Sequence, residues 1–237
     1  MAKKLKILFF TGAGVSAESG LQTFRDSHDG LWNNYKLEDV CTPEAWKKNP
    51  ALVLDFYNQR RKQCIESIPN KAHQLIAELQ NDFMVTIVTQ NVDDLHERAG
   101  SSTIIHLHGE LMKSRSTRDD KLIYNIQDDI KIGDKCEKNS QLRPHIVWFG
   151  EQLDDSKINL AVKAAMECNL CVIIGSSLQV FPANQIPSYV HAKSKIIIVD
   201  PSDLMIDLDY KERIHFIKKS AVEGMLEIYP VLMQLDK

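Results

Sequence analysis

A short apolar segment followed at once by glycines constrains the fold more than any other feature of the chain. Residues Ile7–Phe10 are all apolar and predict a buried strand, and Gly12-x-Gly14-x-x-Ala17 follows immediately. In α/β proteins this pattern is a tight turn from a strand into a helix, where backbone amides and the helix N-terminus can receive a pyrophosphate. A tight turn without a ligand explains the same triplet, so the motif alone leaves the function open.

Length and composition narrow the class of protein. With 237 residues and 43% hydrophobic content, the chain can bury a full core as one large domain, or as one domain with a small module. The net charge of −3 leaves no basic surface for nucleic acid or anionic membrane, so we expect neither partner. No apolar run approaches the length of a membrane span, and the basic start is followed by too short an apolar run for a signal peptide.

The cysteines indicate a compartment. The five cysteines are odd in number and scattered along the chain, which favours a reducing interior over a disulfide framework. We therefore expect a cytoplasmic protein. The sequence carries no signal for its oligomeric state.

Short apolar runs alternate with helical stretches, which is typical of a parallel sheet with helices on both faces. We expect an α/β fold with a Rossmann-like sheet. The predicted strands are Leu5–Phe10, Met84–Thr89, Ile104–Leu107, Leu170–Ile174, Lys195–Val199 and His215–Ile217. The predicted helices include Pro50–Ser67, Lys71–Gln80, Asp154–Glu167 and Ala221–Gln234.

Two intervals interrupt this alternation. The first strand and the second are separated by far more chain than one crossover needs, which implies a helical insertion. The segment from Glu110 to Pro144 is polar but keeps scattered apolar residues, as a small separate module would. We expect a large lobe of approximately residues 1–30, 70–110 and 144–237, and a small lobe of 31–69 and 111–143. A cleft between two lobes is the default place for a ligand.

The second strand lacks the acidic residue of a hydride-transfer enzyme. Such enzymes carry Asp or Glu at the end of that strand, about twenty residues after the glycines. Asp39 lies near that distance but in no predicted strand, and the second strand ends in Thr89-Gln90-Asn91. This argues against a dehydrogenase.

Polar side chains follow two of the predicted strands. Gln90, Asn91 and Asp93 come after the second strand, where amides and a carboxylate can grip a carboxamide, a ribose or a water. Helix capping by Asn91 or Asp93 is the alternative. His108 ends the next strand beside a flexible glycine, and histidine suits a base near neutral pH. A hydrogen-bonded structural histidine is the alternative, favoured for His106.

Two further segments have the composition of binding loops. Gly175-Ser176-Ser177 ends a buried strand in a small-residue turn suited to a phosphate or a ribose. The segments Val147–Glu151 and Gln179–Pro182 present apolar and backbone groups that can pair with an extended peptide. The edge of a core strand explains these two segments equally well.

Taken in order, these motifs resemble those of the sirtuins. The resemblance runs from about Leu5 to Tyr229 and is carried by five separated motifs: Gly12-Ala-Gly-x-Ser16 with Ser19-Gly20 and Thr23-Phe24-Arg25, Gln90-Asn91-x-Asp93-x-Leu-His96-x-x-Ala99-Gly100, His108-Gly109-Glu110, Trp148-Phe149-Gly150-Glu151 and Gly175-Ser-Ser-Leu-Gln-Val. Sirtuins consume NAD, so the resemblance implies that the dinucleotide is a co-substrate.

The resemblance also implies a reaction and its residues. In sirtuins the carbonyl oxygen of an acyl-lysine protein or peptide attacks the ribose carbon as nicotinamide leaves, a histidine then activates a ribose hydroxyl, and water completes the release of lysine and O-acyl-ADP-ribose. Carried over by position, the catalytic residues are His108 as the base, Asn91 and Asp93. The NAD-binding residues would also include Gly12, Ala13, Gly14, Ser16, Phe24, Arg25, Gln90, Gly175, Ser176, Ser177 and Ala221. The substrate backbone would be held by Val147, Phe149, Val180 and Phe181.

Two residues on the helix from Pro50 indicate the acyl group. Tyr57 and Arg60 are three apart and share a helix face, where a phenol and a guanidinium could bind a carboxylate. Spacing alone would favour a solvated Tyr and Arg. However, Tyr-x-x-Arg in this helix resembles the sirtuins that remove succinyl and malonyl groups. Cys41 stands where those members usually have Ala and is still small, and we expect deacetylase activity as well.

The chain departs from the sirtuin pattern at the zinc site. Most sirtuins hold one zinc with two Cys-x-x-Cys pairs, but here the interval contains only Cys136, with Ser116, Asp119 and Asn139 at the other positions. These residues cannot make a tight tetrahedral site, so we predict no zinc and expect the apolar residues between Leu122 and Ile132 to stabilise the module. We interpret the one Cys-x-x-Cys, Cys168-Asn-Leu-Cys171, as core because it leads into a buried strand.

Three other functions compete with deacylation. Mono-ADP-ribosyl transfer or NAD hydrolysis would release nicotinamide without acyl-lysine. A binding module for NAD or ADP-ribose would release none, and the presence of His108, Asn91 and Asp93 together argues against it.

Overall fold

The computed structural model describes residues 4–21, 35–204 and 213–235. Its strands are β1 (Lys6–Thr11), β2 (Met84–Thr89), β3 (Ile104–His106), β4 (Gly109–Ser116), β5 (Ile123–Asn125), β6 (Leu142–Ile146), β7 (Leu170–Ile174), β8 (Lys195–Val199) and β9 (Ile214–Ile217). Its α-helices are α1 (Gly14–Ala17), α2 (Leu37–Val40), α3 (Pro43–Lys48), α4 (Pro50–Glu66), α5 (Lys71–Glu78), α6 (Leu95–Arg98), α7 (Asp155–Glu167) and α8 (Ala221–Leu232). Short 3₁₀ helices cover Leu79–Asn81 and Ala183–Tyr189.

Six parallel strands form the central sheet in the order β3-β2-β1-β7-β8-β9. The predicted α/β fold with a Rossmann-like sheet is confirmed, and each predicted strand has an observed counterpart. The strand order reverses between β1 and β7, and open α/β sheets bind ligands outside the carboxyl ends of the strands at such a point. The glycines after β1 therefore meet the Gly175 turn after β7 at the position where a ligand is expected.

The sheet is buried on both faces because its central strands are continuously apolar. Alternation along β1 divides its side chains: Ile7 and Phe9 pack with α5 and α8, whereas Leu8 and Phe10 pack with α7 and the Ala183–Tyr189 helix. Cys168 and Cys171 belong to the second of these cores and are free thiols, which confirms the interpretation of that Cys-x-x-Cys as core.

Helix α4 dominates the insertion between β1 and β2. It begins at Pro50, and the Asn49 side chain accepts a hydrogen bond from the Leu52 amide, so both its first residue and its cap favour a helix start. Its inner face, including Val53, Phe56 and Tyr57, forms a third core with residues from other elements, among them Leu111, Ile146 and Trp148. This core joins the helical insertion to the small antiparallel sheet.

Strands β5, β4 and β6 form that small sheet. The expectation that apolar residues between Leu122 and Ile132 stabilise this module is wrong. Only Ile130 is buried in that stretch, whereas Ile123 and Ile132 are 42% and 58% exposed. An edge strand of three residues leaves alternate side chains in water, so its apolar residues do not converge.

The third core and polar contacts from α4 hold the module instead. The Asn58 side chain donates to the Ile130 carbonyl at 3.0 Å and accepts from the Ile130 amide at 3.0 Å. Arg61, only 1% exposed, donates through Nε to the Leu111 carbonyl at 3.0 Å. Because these groups are buried, each bond satisfies a backbone group that would otherwise lack a partner. No helix within the described ranges is long and apolar enough to cross a membrane.

Candidate functional site

The glycines at the ends of β1 and β7 bring two backbones into direct contact. The Gly14 amide donates to the Gly175 carbonyl at 2.9 Å. A Cβ added to Gly12 would lie 2.6 Å from the Gly175 oxygen, and one added to Gly175 would lie 2.4 Å from the Val15 nitrogen. Gly175 also has φ of +62°, which other residues rarely adopt. The turn therefore excludes side chains, as a backbone cradle for a pyrophosphate must.

A single hydroxyl connects this cradle to the loop after β2. The Asn91 side-chain amide donates to Ser16 Oγ at 3.0 Å, and Ser16 Oγ donates to Asp93 Oδ2 at 3.0 Å. All three residues are buried. Burial raises the pKa of Asp93, while hydrogen bonds from the Leu95 amide and the Ser16 hydroxyl act in the opposite direction. Asp93 Oδ1 accepts from that Leu95 amide at 3.2 Å, but Asp93 is not the helix cap that the alternative interpretation predicted: the N-cap of α6 is Asp94, whose side chain makes no capping hydrogen bond.

His108 has the geometry of a base. Its Nδ1 lies 2.9 Å from the Gln90 carbonyl oxygen, which can only accept, so Nδ1 carries the proton and Nε2 keeps its lone pair. Burial lowers the pKa of His108, so the ring is neutral at neutral pH. The Gln90 side chain accepts from Ser176 Oγ at 2.7 Å, so Gln90 joins the base to the Gly175 turn.

His106 is a structural histidine, as its sequence context favoured. Its Nδ1 donates to the Asn91 carbonyl at 3.0 Å and its Nε2 pairs with Glu97 Oε1 at 2.7 Å. Burial alone would lower the pKa of His106, but the hydrogen bond and charge of Glu97 outweigh it and the pKa is raised. His106 and His108 thus donate hydrogen bonds to two consecutive backbone carbonyls, those of Asn91 and Gln90.

Two histidines near Ser16 were not predicted as part of the site. His73 Nε2 lies 3.5 Å from Ser16 Oγ, and His96 Nε2 lies 3.1 Å from Thr11 Oγ1. Their rings meet edge to face with centroids 4.9 Å apart. Burial lowers the pKa of His73 to about 4 and that of His96 well below its ordinary value, so both rings are neutral. His96 lies within the motif that begins at Gln90, but nothing in the sequence places His73 beside it.

The residues predicted to contact the acyl group lie together. Tyr57 is 5% exposed; its hydroxyl donates to Cys41 Sγ at 3.4 Å and its oxygen accepts from Trp148 Nε1 at 3.1 Å. Arg60 is half-buried, which lowers the pKa of its guanidinium, while the nearby Tyr57, Asp93 and Cys41 raise it. The neighbouring Arg61 is more deeply buried and serves the small sheet instead.

The segments predicted to hold a peptide carry exposed aromatic rings. Phe149 is 50% exposed and Phe181 is 72% exposed, whereas Val147 and Val180 are half-buried. The Val147 amide donates to the His108 carbonyl at 2.9 Å, so this segment lies next to the base. Exposed aromatic side chains of this size make the two segments candidates for a surface that binds another chain.

The remaining predicted residues have different surroundings. Ala13 is exposed at the tip of the glycine turn, and Ser177 is half-buried after Gly175. Ala221 is 4% exposed at the first position of α8 and packs in the core between the sheet and α8. Phe24 and Arg25 lie outside the described residues.

The residues at the zinc positions do not fit a zinc ion. Cys136 Sγ donates to Ser116 Oγ at 3.2 Å, and Asp119 pairs with Lys138 at 2.5 Å. One thiol among hydroxyl, amide and carboxylate groups is not the nitrogen and sulfur donor set that structural zinc requires. Nowhere in the three described ranges do three or more His, Cys, Asp or Glu side chains form a group that could hold a metal. The absence of zinc remains a prediction from the donor set.

Comparisons with known proteins agree on one family. The model of the Sir2 family matches residues 12–182. An NAD-dependent protein deacylase of Helicobacter pylori is 47% identical over 229 residues, which cover 97% of this chain and 98% of that protein. One of Bacteroides thetaiotaomicron is 46% identical, covering 96% and 97%. A solved Sir2 homologue in complex with NAD superposes with a TM-score of 0.86 at 37% identity, covering 98% of this chain and 91% of that one.

Proposed function

The chain belongs to the Sir2 family, and from that premise we propose that it is an NAD-dependent protein deacylase that removes succinyl, malonyl and acetyl groups from lysine. The names of its relatives support protein deacylation, and the NAD complex of a Sir2 homologue supports NAD as the co-substrate. The choice of acyl group is the finer part of the proposal and rests on Tyr57 and Arg60.

The observation that carries the reaction is the hydrogen bond from His108 Nδ1 to the Gln90 carbonyl, which leaves Nε2 able to accept a proton. Bound NAD supplies the ribose carbon to which the acyl oxygen becomes attached as nicotinamide departs. His108 then takes the proton of a ribose hydroxyl through Nε2. Its lowered pKa supports this role, because the ring is deprotonated before the reaction begins.

The surrounding residues bind and orient the two substrates. We assign the phosphates to the turns containing Gly12, Ala13 and Gly14 and Gly175, Ser176 and Ser177. Asn91 and Asp93 hold the nicotinamide end and its ribose, positioned by Ser16. We assign the peptide backbone to the two segments with exposed Phe149 and Phe181, the first of which lies next to His108.

The acyl specificity follows from charge and position. A succinyl or malonyl group ends in a carboxylate, for which Arg60 provides a charge and Tyr57 a hydroxyl donor. Tyr57 acts on the pKa of the Arg60 guanidinium, so the two side chains lie near each other, which supports one binding point for both. An acetyl group has no carboxylate and needs neither contact.

The test of the reaction uses three peptides that differ only in the acyl group. Protein and NAD are incubated with acetyl-, succinyl- and malonyl-lysine peptides while peptide mass and free nicotinamide are followed. Deacylation should require NAD, and nicotinamide release should require an acylated peptide. His108→Ala should abolish turnover, whereas His215→Ala, an exposed histidine on β9, should not.

The outcomes separate the alternatives. Nicotinamide released without peptide would indicate NAD hydrolysis, and label from NAD retained on a protein would indicate ADP-ribosyl transfer. No nicotinamide under any condition would indicate a binding module. Full turnover by His108→Ala would remove the proposed base.

The acyl specificity is tested on helix α4. Arg60→Met should reduce kcat/KM for succinyl-lysine by roughly 10- to 150-fold more than for acetyl-lysine, because a charged hydrogen bond contributes about 1.5–3 kcal/mol. Lys62→Met is the matched control, since Lys62 is a cation on the same helix that pairs with Asp129 at the surface. Equal losses on both substrates would refute the carboxylate role of Arg60.

A further inference from the structure

We propose that Cys41 sets the preference among acyl groups by holding the Tyr57 hydroxyl until an acyl carboxylate displaces it, and that Trp148 positions the Tyr57 oxygen for this exchange. The inference rests on the proposed function, because it concerns the same acyl-binding residues. It assigns a role to a thiol and to an indole that the reaction itself does not use.

Tyr57 has one hydrogen-bond donor, for which Cys41 and an acyl carboxylate would compete. A phenol has a single O–H, and here it points to Cys41 Sγ at 3.4 Å. The oxygen accepts from Trp148 Nε1 at 3.1 Å. A carboxylate that is to bind Tyr57 must therefore take the proton donor from Cys41.

Cys41 is a weak competitor for this donor. Burial raises the pKa of the Cys41 thiol to about 11, so the sulfur is neutral, and a neutral sulfur accepts hydrogen bonds poorly. Arg60 lies near enough for its charge to act on the pKa of this thiol, so a carboxylate bound by Arg60 would lie near Cys41 and Tyr57. The ionised carboxylate oxygen accepts hydrogen bonds more strongly than the sulfur does, so the Tyr57 hydroxyl should donate to the carboxylate when it is bound.

Trp148 is held so that its N–H cannot turn away from Tyr57. The Arg143 guanidinium carbon lies 3.2 Å from the centre of the Trp148 ring, and Arg143 Nη1 donates to Glu151 Oε1 at 2.6 Å. The Trp148 amide donates to Glu151 Oε2 at 2.9 Å. With ring and backbone both fixed, the indole keeps one lone pair of the Tyr57 oxygen occupied and leaves its hydroxyl as the group that changes partner.

The same segment also reaches Cys41 through its backbone. The Phe149 amide donates to the Cys41 carbonyl at 3.0 Å. Through Trp148 Nε1 and the Phe149 amide, the segment proposed to bind the peptide therefore contacts both residues that share the hydroxyl. An acylated lysine seated on this segment would extend toward the Tyr57–Cys41 hydrogen bond.

Two substitutions of Cys41 test the exchange. Cys41→Ala removes the competing acceptor and should lower the KM for a succinyl-lysine peptide by roughly 2- to 10-fold, the range expected for one hydrogen bond. Cys41→Ser supplies a stronger acceptor and should raise that KM by a similar factor. Serine and alanine are both smaller than cysteine, so pocket size alone predicts shifts in the same direction. The effects should fall on KM more than on kcat, and the KM for the matching acetyl peptide should change much less.

Trp148→Phe tests the positioning role. It removes the N–H but keeps an aromatic ring for Arg143, and it should raise the KM for the succinyl peptide by roughly 3- to 10-fold. In a Tyr57→Phe background it should have no further selective effect, because the hydroxyl it positions is absent. Melting temperatures of all variants identify any that fail to fold, and the two Cys41 variants decide the outcome in that event.

The results distinguish this inference from the proposed function. If the wild-type protein removes acetyl groups but neither succinyl nor malonyl groups, the proposed specificity for acyl groups that end in a carboxylate is refuted, and this inference with it. If the wild-type protein instead removes succinyl groups as proposed, but Cys41→Ala and Cys41→Ser shift the KM in the same direction or not at all, only the inference about Cys41 is overturned.

Discussion

Replacing Gly175 with alanine perturbs the point where the turns after β1 and β7 touch. Gly175 has φ of +62°, and holding alanine there costs roughly 1–2 kcal/mol. The added Cβ would lie 2.4 Å from the Val15 nitrogen, whereas ordinary Cβ contacts begin at 3.4 Å. One backbone must therefore move by about 1 Å, and such overpacking costs a further 1–3 kcal/mol or so.

The same movement displaces the cradle proposed for the phosphates. A misplacement of about 1 Å can weaken a preorganised site by on the order of 100-fold. We therefore expect Gly175→Ala to lower the affinity for ADP-ribose by about that factor, and to lower the melting temperature by roughly 4–20 °C for a total cost of about 2–5 kcal/mol. ADP-ribose is the suitable ligand because it lacks the nicotinamide bond that turnover would break.

The assay is isothermal titration calorimetry with ADP-ribose, together with thermal unfolding, on three variants. Gly100→Ala is the matched control: its φ is +101°, but an added Cβ has no atom of the described residues within 4 Å. It should lose stability and keep its affinity. Gly12→Ala tests the steric contact by itself: the Cβ would lie 2.6 Å from the Gly175 oxygen, but Gly12 does not have the positive φ of Gly175. If Gly175→Ala and Gly12→Ala bind ADP-ribose as tightly as Gly100→Ala does, the cradle argument is refuted.

Three further predictions concern the base, the buried hydroxyl and the small module. Because burial lowers the pKa of His108 from its ordinary 6.5 and the neutral ring is the active form, kcat/KM should stay high on acidification until the pH falls below 6.5; an acid limb centred above that value would contradict the assignment. Ser16→Ala removes one hydrogen bond each from Asn91 and Asp93 and should lower the free energy of unfolding by roughly 1–3 kcal/mol in chemical denaturation. The Ser19 hydroxyl is buried and has no hydrogen-bond partner among the described residues, so Ser19→Ala should cost much less, and equal losses would argue against the network. Metal analysis of the purified protein should find no stoichiometric zinc, and a chelator should leave the melting temperature unchanged; one zinc per chain would overturn the prediction.

Much of the large sheet could be predicted because its strands carry their own signal. Strands buried on both faces are continuous apolar runs, and β2, β7 and β8 have the bounds that the sequence indicated. The small sheet was recognised only as a polar module. Its stabilising contacts come from Asn58 and Arg61, about fifty or more residues away in the chain, and a residue pattern within the module contains no trace of them.

The candidate site divides in the same way. Glycine turns, a histidine at a strand exit and an amide-carboxylate loop are local features, and the residue pattern alone indicates each of them. The bridge from Asn91 to Ser16 spans 75 residues, and the bond from Trp148 to Tyr57 spans 91. Helical spacing alone allows both Arg60 and Arg61 to lie near Tyr57, and only the Tyr-x-x-Arg motif favours Arg60. That Arg61 binds the small sheet instead depends on how α4 is rotated against that sheet.

The chain by itself determined the strands of the large sheet, the starts of the longer helices and the chemical groups available, because backbone sterics, apolar periodicity and side-chain chemistry act between near neighbours. Tertiary structure alone decided which side chains share a hydrogen-bond donor and which side chains are buried. Those outcomes depend on distances between segments far apart in the chain, and a difference of about 1 Å in such distances separates a hydrogen bond from no interaction.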